Sequence, residues 1–155
     1  MKKFRSSLSA AKRFRQYWLP LLLMLTAIFF FSTDSFSSDQ TSRFIVPILK
    51  FLAPNLSAVQ VEFWHHVVRK AAHITEYCVL GILIYRALRL DVRSPATLRV
   101  VTVASVALVA LLDEFHQSFV PSRTSSIFDV GYDCIGGVMA ILLLWVWSFA
   151  RVTEQ

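Results

Sequence analysis

The stretch VVRKAAHITEYCVLGILIYRAL, residues 67–88, decides the fold because it combines the length of a membrane helix with several charged side chains. About 20 predominantly apolar residues in a helix cross the hydrocarbon core of a bilayer. A charge at the centre of such a helix costs about 2.5–3.5 kcal/mol on insertion scales, so charges within a span usually mark a polar site between helices. We therefore predict a membrane helix that presents a polar face to its neighbours.

The rest of the chain supports a membrane protein built only from helices. Its 155 residues are 55% hydrophobic, with a mean hydropathy of +0.55. Too little polar surface remains to cover a soluble helical bundle of this composition. Four apolar blocks predict an all-α polytopic membrane protein, a four-transmembrane-helix bundle forming one domain over residues 1–155. The predicted spans cover residues 17–31, 67–88, 100–120 and 127–150.

The basic residues predict the orientation of these spans. They flank the first block and fill the connection between the second and third, at Lys2, Lys3, Arg5, Lys12, Arg13, Arg15, Arg86, Arg89, Arg93 and Arg99. Cytoplasmic loops are enriched in Lys and Arg, so we expect both termini in the cytoplasm. The first block is interpreted as an uncleaved anchor, because no cleavage-site pattern of small residues follows Phe31. The net charge of +6 thus indicates topology, and we predict no nucleic-acid partner.

The outer connection, residues 32–66, carries apolar residues at helical spacing. Phe44, Ile48 and Leu52 recur before Pro54, and Val59 and Phe63 recur after it. This pattern predicts an amphipathic helical segment that lies in the outer membrane interface as a lid. A poorly structured loop is the alternative.

Charged and polar residues from three spans are predicted to meet at the outer end of the bundle. Arg69, His73 and Glu76 are four and three residues apart, so they share one helical face. Asp113 and Gln117 follow the same spacing at the end of the third span. In the fourth span, the small residues Gly136 and Gly137 allow a neighbouring helix to approach closely. A purely structural set of interhelical contacts is the alternative interpretation.

Three strings in this order resemble the VanZ-like family. They are residues 69–77, RKAAHITEY, residues 113–123, DEFHQSFVPSR, and the pair Asp129 and Gly136, with FSTDS at residues 31–35 in addition. The resemblance implies a small four-span protein of the bacterial cytoplasmic (inner) membrane. It also implies a role in the cell envelope, since the founding member is associated with low-level teicoplanin resistance. Asp133 departs from the pattern, because the family more often has Asn there.

The polar residues suggest two kinds of role within this layer. Glu76, Asp113 and His73 are the candidate catalytic acids and bases. The candidate ligand-binding residues are Arg69, Lys70, Tyr77, Glu114, Gln117, Arg123, Asp129 and Asp133. Of these, Arg69, Lys70 and Arg123 are suited to a phosphate or pyrophosphate group. We predict neither a cofactor nor a metal, although His73, Glu76 and the carboxylates form an alternative set of N and O ligands.

The combined interpretation is a VanZ-like envelope protein linked to glycopeptide (teicoplanin) tolerance. Its outward-facing charged pocket is expected to bind or process a lipid-linked phosphate or another envelope lipid, with membrane lipids or a glycopeptide-related ligand as partners. The alternative is a non-enzymatic binding or structural protein that limits antibiotic access to its target. A transporter is disfavoured, because no internal repeat is present. The sequence leaves enzymatic activity and oligomeric state open.

Overall fold

The computed structural model describes residues 9–123 and 125–150, and all regular structure within them is helical. A short 3₁₀ turn, Asp34–Phe36, separates the first two of five helices. The helices are α1 (Ala10–Phe31, with a π-helical stretch at Phe14–Trp18), α2 (Ser38–Leu52), α3 (Ala58–Leu88), α4 (Pro95–Gln117) and α5 (Ile127–Ala150). The terminal basic residues Lys2, Lys3 and Arg5, on which the predicted orientation partly rests, lie outside the described residues.

Helices α3 and α4 begin before their predicted spans, because capping residues precede them. The Ser57 side chain accepts a hydrogen bond from the Gln60 amide, and the Gln60 side chain accepts one from the Ser57 amide. This capping box starts α3 at residue 58, nine residues before the predicted span. At α4 the Ser94 side chain accepts a hydrogen bond from the Thr97 amide, and Pro95 occupies the first position of the helix. The amphipathic stretch that follows Pro54, with Val59 and Phe63, is therefore the first part of α3.

Among the described residues, three helices are long and apolar enough to cross a membrane: α1, α4 and α5. The predicted boundaries of the first and third spans shift, since α1 begins at Ala10 and α4 extends from Pro95 only to Gln117. Long apolar helices of this kind indicate a multi-pass membrane protein. Helix α3 is the longest of the described helices and is not among these three, so the fourth span stays a prediction.

The core lies where α3 packs along α5, with α4 against both and α1 against α3. Tyr77, Leu80 and Val106 are among its fully buried side chains. Gly136 brings α5 directly against the backbone of α3: a Cβ there would lie 2.9 Å from the Cys78 amide nitrogen. Small residues allow this approach in apolar helices, as the sequence predicted.

Helix α2 carries its apolar side chains on the outside of the molecule. Phe44, Ile48, Phe51 and Leu52 are all exposed. The helix packs against the first part of α3, where Thr41 Oγ1 lies 3.5 Å from a ring nitrogen of His65. The structure thus places a helix in the outer connection, while its position relative to a membrane stays a prediction.

Candidate functional site

A polar cavity of about 280 Å³ lies at the end of the bundle where α3 faces the α4–α5 connection. Its lining comes from α2, α3, the end of α4, the α4–α5 connection and α5. The lining residues are Ser38, His66, Arg69, Lys70, His73, Gln117, Ser122, Arg123, Ser126 and Asp129. Three of these are Lys or Arg and one is a carboxylate, so the cavity carries an excess of positive charge.

Two cations on adjacent positions of α3 are placed differently in this cavity. Lys70 forms an ion pair with Asp129 in the first turn of α5, and its ammonium lies 5.3 Å from the centre of the Tyr132 ring. Within the described residues, Arg69 forms neither a side-chain hydrogen bond nor a salt bridge. The Arg69 guanidinium is therefore the cation most available to an anionic ligand.

His73 connects the cavity to a buried carboxylate on α5. Its Nδ1 lies 3.4 Å from Oδ1 of Asp133, whose side chain is only 1% exposed. His73 itself lines the cavity. The imidazole thus lies between the space open to a ligand and a carboxylate that no ligand can reach.

Asp113 is the centre of a polar network that joins α1 to α4. The Ser32 hydroxyl donates to one carboxylate oxygen, and Gln117 Nε2 donates to the other at 2.8 Å. All three side chains are buried. Because both oxygens already have a donor, the network holds the end of α1 in place, and the predicted catalytic role of Asp113 stays a prediction.

The two glutamates of the predicted layer, Glu114 and Glu76, differ in their hydrogen bonding. Glu114 accepts a hydrogen bond of 2.7 Å from the Ser126 amide and so fixes the α4–α5 connection. Glu76 Oε1 is inaccessible and has no hydrogen-bond partner among the described residues. Tyr77, its neighbour on α3, is completely buried in the core, so its predicted contact with a ligand would need a rearrangement.

Arg123 binds the end of α1. Its guanidinium donates to the Phe31 carbonyl and, at 3.5 Å, to the Thr33 carbonyl. A cation at this position complements the negative end of the helix dipole. Burial lowers the pKa of the Arg123 guanidinium, and the carboxylates of Asp113 and Glu114 oppose that shift, so it stays charged. Arg123 thus contributes charge to the cavity while part of its hydrogen-bonding capacity is used structurally.

The structure brings the predicted polar residues of α3, α4 and α5 to one end of the bundle. Residues that the prediction omitted complete this region: Ser32, Asp34, Ser38, His66 and Ser126. Ser122 donates to Asp34 and, with Arg123, attaches the α4–α5 connection to the end of α1. The FSTDS string, residues 31–35, indicated that the end of α1 matters, but it did not predict which residues contact it. Across residues 9–123 and 125–150, no three His, Cys, Asp or Glu side chains are grouped to hold a metal.

Comparison with known proteins gives one match. The model of the VanZ/LLP1 family matches residues 17–148, a range that includes every described residue lining the cavity. No curated protein matches the chain. No solved structure matches it either. Since the family model covers most of the chain, the protein belongs to the VanZ/LLP1 family.

Proposed function

We propose that the polar cavity binds the phosphate group of a lipid-linked phosphate in the outer leaflet. The observation that carries the proposal is the convergence of Arg69, Lys70 and Arg123 on one cavity in which Asp129 is the only carboxylate among the described lining residues. Guanidinium groups bind phosphate through paired hydrogen bonds, and an ammonium adds a point charge. In low-dielectric surroundings these contacts are stronger than in water.

Access from the membrane favours a lipid over a soluble anion. On this proposal α3 is the fourth span of the bundle, and the exposed apolar side chains of α2, including Phe44 and Phe51, rest in the outer interface. Ser38 at the start of α2 lines the cavity, so this helix lies beside its entrance. A lipid could then place its head group in the cavity while its chains stay in the bilayer.

The cellular role follows from this placement. We propose that the protein lies in the bacterial inner membrane with both termini in the cytoplasm and the cavity facing outward. Binding of an envelope lipid at that surface would link the protein to glycopeptide tolerance, including tolerance of teicoplanin, because that class of antibiotic acts outside the cytoplasmic membrane.

A binding comparison with two lipids tests the proposal. The purified chain in detergent is titrated with a polyprenyl phosphate and with the polyprenyl alcohol of equal chain length, and complexes are measured by native mass spectrometry. We expect at least about tenfold tighter binding of the phosphate, equivalent to about 1.4 kcal/mol. Arg69→Gln should remove most of that preference. Arg99→Gln, an exposed basic residue near the start of α4, is the matched control and should retain it.

Equal binding of the two lipids by the wild-type protein would overturn the proposal. The same conclusion would follow if the Arg69 and Arg99 variants lost the phosphate preference equally, because the effect would then be one of net charge.

A second candidate function is a non-enzymatic contact that limits antibiotic access to its target. The observation that favours it is the exposed apolar surface of Phe51, Val59 and Phe63 on α2 and the start of α3. Such a patch is suited to a partner in the membrane interface. Phe51→Ser should then reduce antibiotic tolerance in cells, whereas Arg69→Gln should leave it unchanged. The opposite pattern would favour the lipid-phosphate site.

A further inference from the structure

We propose that His73 and Asp133 form an acid–base pair that hydrolyses the terminal phosphate from a lipid pyrophosphate held in the cavity. The inference rests on the proposed function and specifies its ligand as a phosphoanhydride. It also assigns Asp133, which is completely buried on α5, as a positioning residue.

The geometry of the pair gives each residue a distinct role. His73 lines the cavity, while its Nδ1 is inaccessible and makes no hydrogen bond among the described residues, and Asp133 Oδ1 lies at ion-pair distance from it, 3.4 Å away. Its other ring nitrogen, Nε2, is therefore the one available to a water or ligand in the cavity. Asp133 is completely buried on α5, so it cannot touch the ligand. A carboxylate at Nδ1 fixes the tautomer and orientation of an imidazole whose Nε2 accepts a proton.

Two imidazoles line the cavity, those of His66 and His73, and within the described residues it is His73 that has a carboxylate at ion-pair distance, so we assign His73 as the base. Asp129 pairs with Lys70, Asp113 accepts from Ser32 and Gln117, and Glu76 Oε1 is inaccessible. A phosphate monoester would need a second group to protonate its alkoxide leaving group. A pyrophosphate does not, because its leaving group is itself a phosphate whose negative charge adjacent cations can stabilise.

The reaction proceeds by direct attack of water. A water oxygen forms a bond to the terminal phosphorus while its proton moves to Nε2 of His73. The bridging P–O bond breaks, and its electron pair stays on the lipid phosphate, next to Arg69 and Lys70. The proton then passes from His73 to solvent, so that one water and one lipid pyrophosphate give one lipid monophosphate and one inorganic phosphate.

Release of inorganic phosphate from synthetic lipids tests this inference. The full chain in lipid nanodiscs is given a polyprenyl pyrophosphate or the matching monophosphate, and binding is measured separately with the non-hydrolysable methylene-bisphosphonate lipid. We expect turnover of the pyrophosphate alone. His73→Gln should lower kcat by about 10²–10⁴-fold, the range for general acid–base catalysis. Asp133→Asn should lower kcat by at least about tenfold and leave KM unchanged, since Asp133 does not reach the ligand.

Asp91→Asn is the matched control, because it removes a carboxylate that pairs with Arg13 in the connection at the opposite end of α4. Its kcat should equal that of the wild type. If the wild-type protein binds the bisphosphonate lipid but releases no phosphate, the hydrolysis is overturned and the proposed binding stands. If it binds neither lipid, both proposals fail. An Asp133→Asn variant with wild-type kcat would overturn the positioning role, and a rise in KM alone would do the same.

Discussion

Replacement of Gly136 by alanine should weaken the α3–α5 contact that positions the cavity. The added Cβ would lie 2.9 Å from the Cys78 amide nitrogen and 3.0 Å from Tyr77 Cβ, and it would also contact the Ile74 carbonyl oxygen. Overpacking of this kind costs about 1–3 kcal/mol. The upper end of this range applies, because the atoms opposite Gly136 belong mainly to the backbone of α3. Alanine gains about 1 kcal/mol over glycine in helix propensity, so we expect a net loss of about 2 kcal/mol.

Gly131→Ala is the control for this change, because a Cβ at Gly131 meets nothing within 4 Å. It should gain up to about 1 kcal/mol from helix propensity alone. The free energy of unfolding of both variants is measured in mixed micelles with increasing SDS. A loss of about 2 kcal/mol lowers the folded-to-unfolded ratio about 30-fold. If the two variants had equal free energies of unfolding, α3 and α5 would not approach each other as described.

Two further predictions concern the polar network and the fourth span. Ser32→Ala should lower the free energy of unfolding by about 1–3 kcal/mol, because a buried oxygen of Asp113 loses its donor. The control is Ser118→Ala, at an exposed residue, which should lower it by less than about 0.5 kcal/mol. Equal losses in the two variants would contradict the network. In a cysteine-free background, Asn55→Cys should react with an impermeant thiol reagent from outside the cell and Asp91→Cys only after lysis. Labelling of both from the same side would show that α3 does not cross the membrane.

The helical class and the convergence of the polar residues could be predicted because both follow from local spacing and alternating helix direction. Arg69, His73 and Glu76 share a face by helical periodicity, and antiparallel neighbours bring Asp113 and Asp129 to the same end. The family resemblance was confirmed by the family match. Helix α3 begins nine residues before the predicted span, because hydropathy follows the apolar run and does not register the capping box of Ser57 and Gln60.

Individual partners within the site could not be predicted from the sequence. The pairing of Lys70 with Asp129 and of Ser32 with Asp113 depends on the rotation of each helix about its axis, which spacing leaves undetermined. Arg123 was expected to bind a ligand, and the structure adds a contact with the end of α1. That contact joins residues far apart in the chain, so no local pattern indicates it.

The central claim is that Arg69 and Lys70 hold the phosphate of an envelope lipid, and identification of the lipids that co-purify with the protein tests it most directly. Native mass spectrometry would compare wild-type protein, the Arg69→Gln/Lys70→Gln double variant and Arg99→Gln, each extracted from cell membranes in mild detergent. We expect a phosphate-bearing lipid on the wild type and on Arg99→Gln, and its loss from the double variant. The same lipid on all three proteins, or only uncharged lipids on the wild type, would contradict the claim.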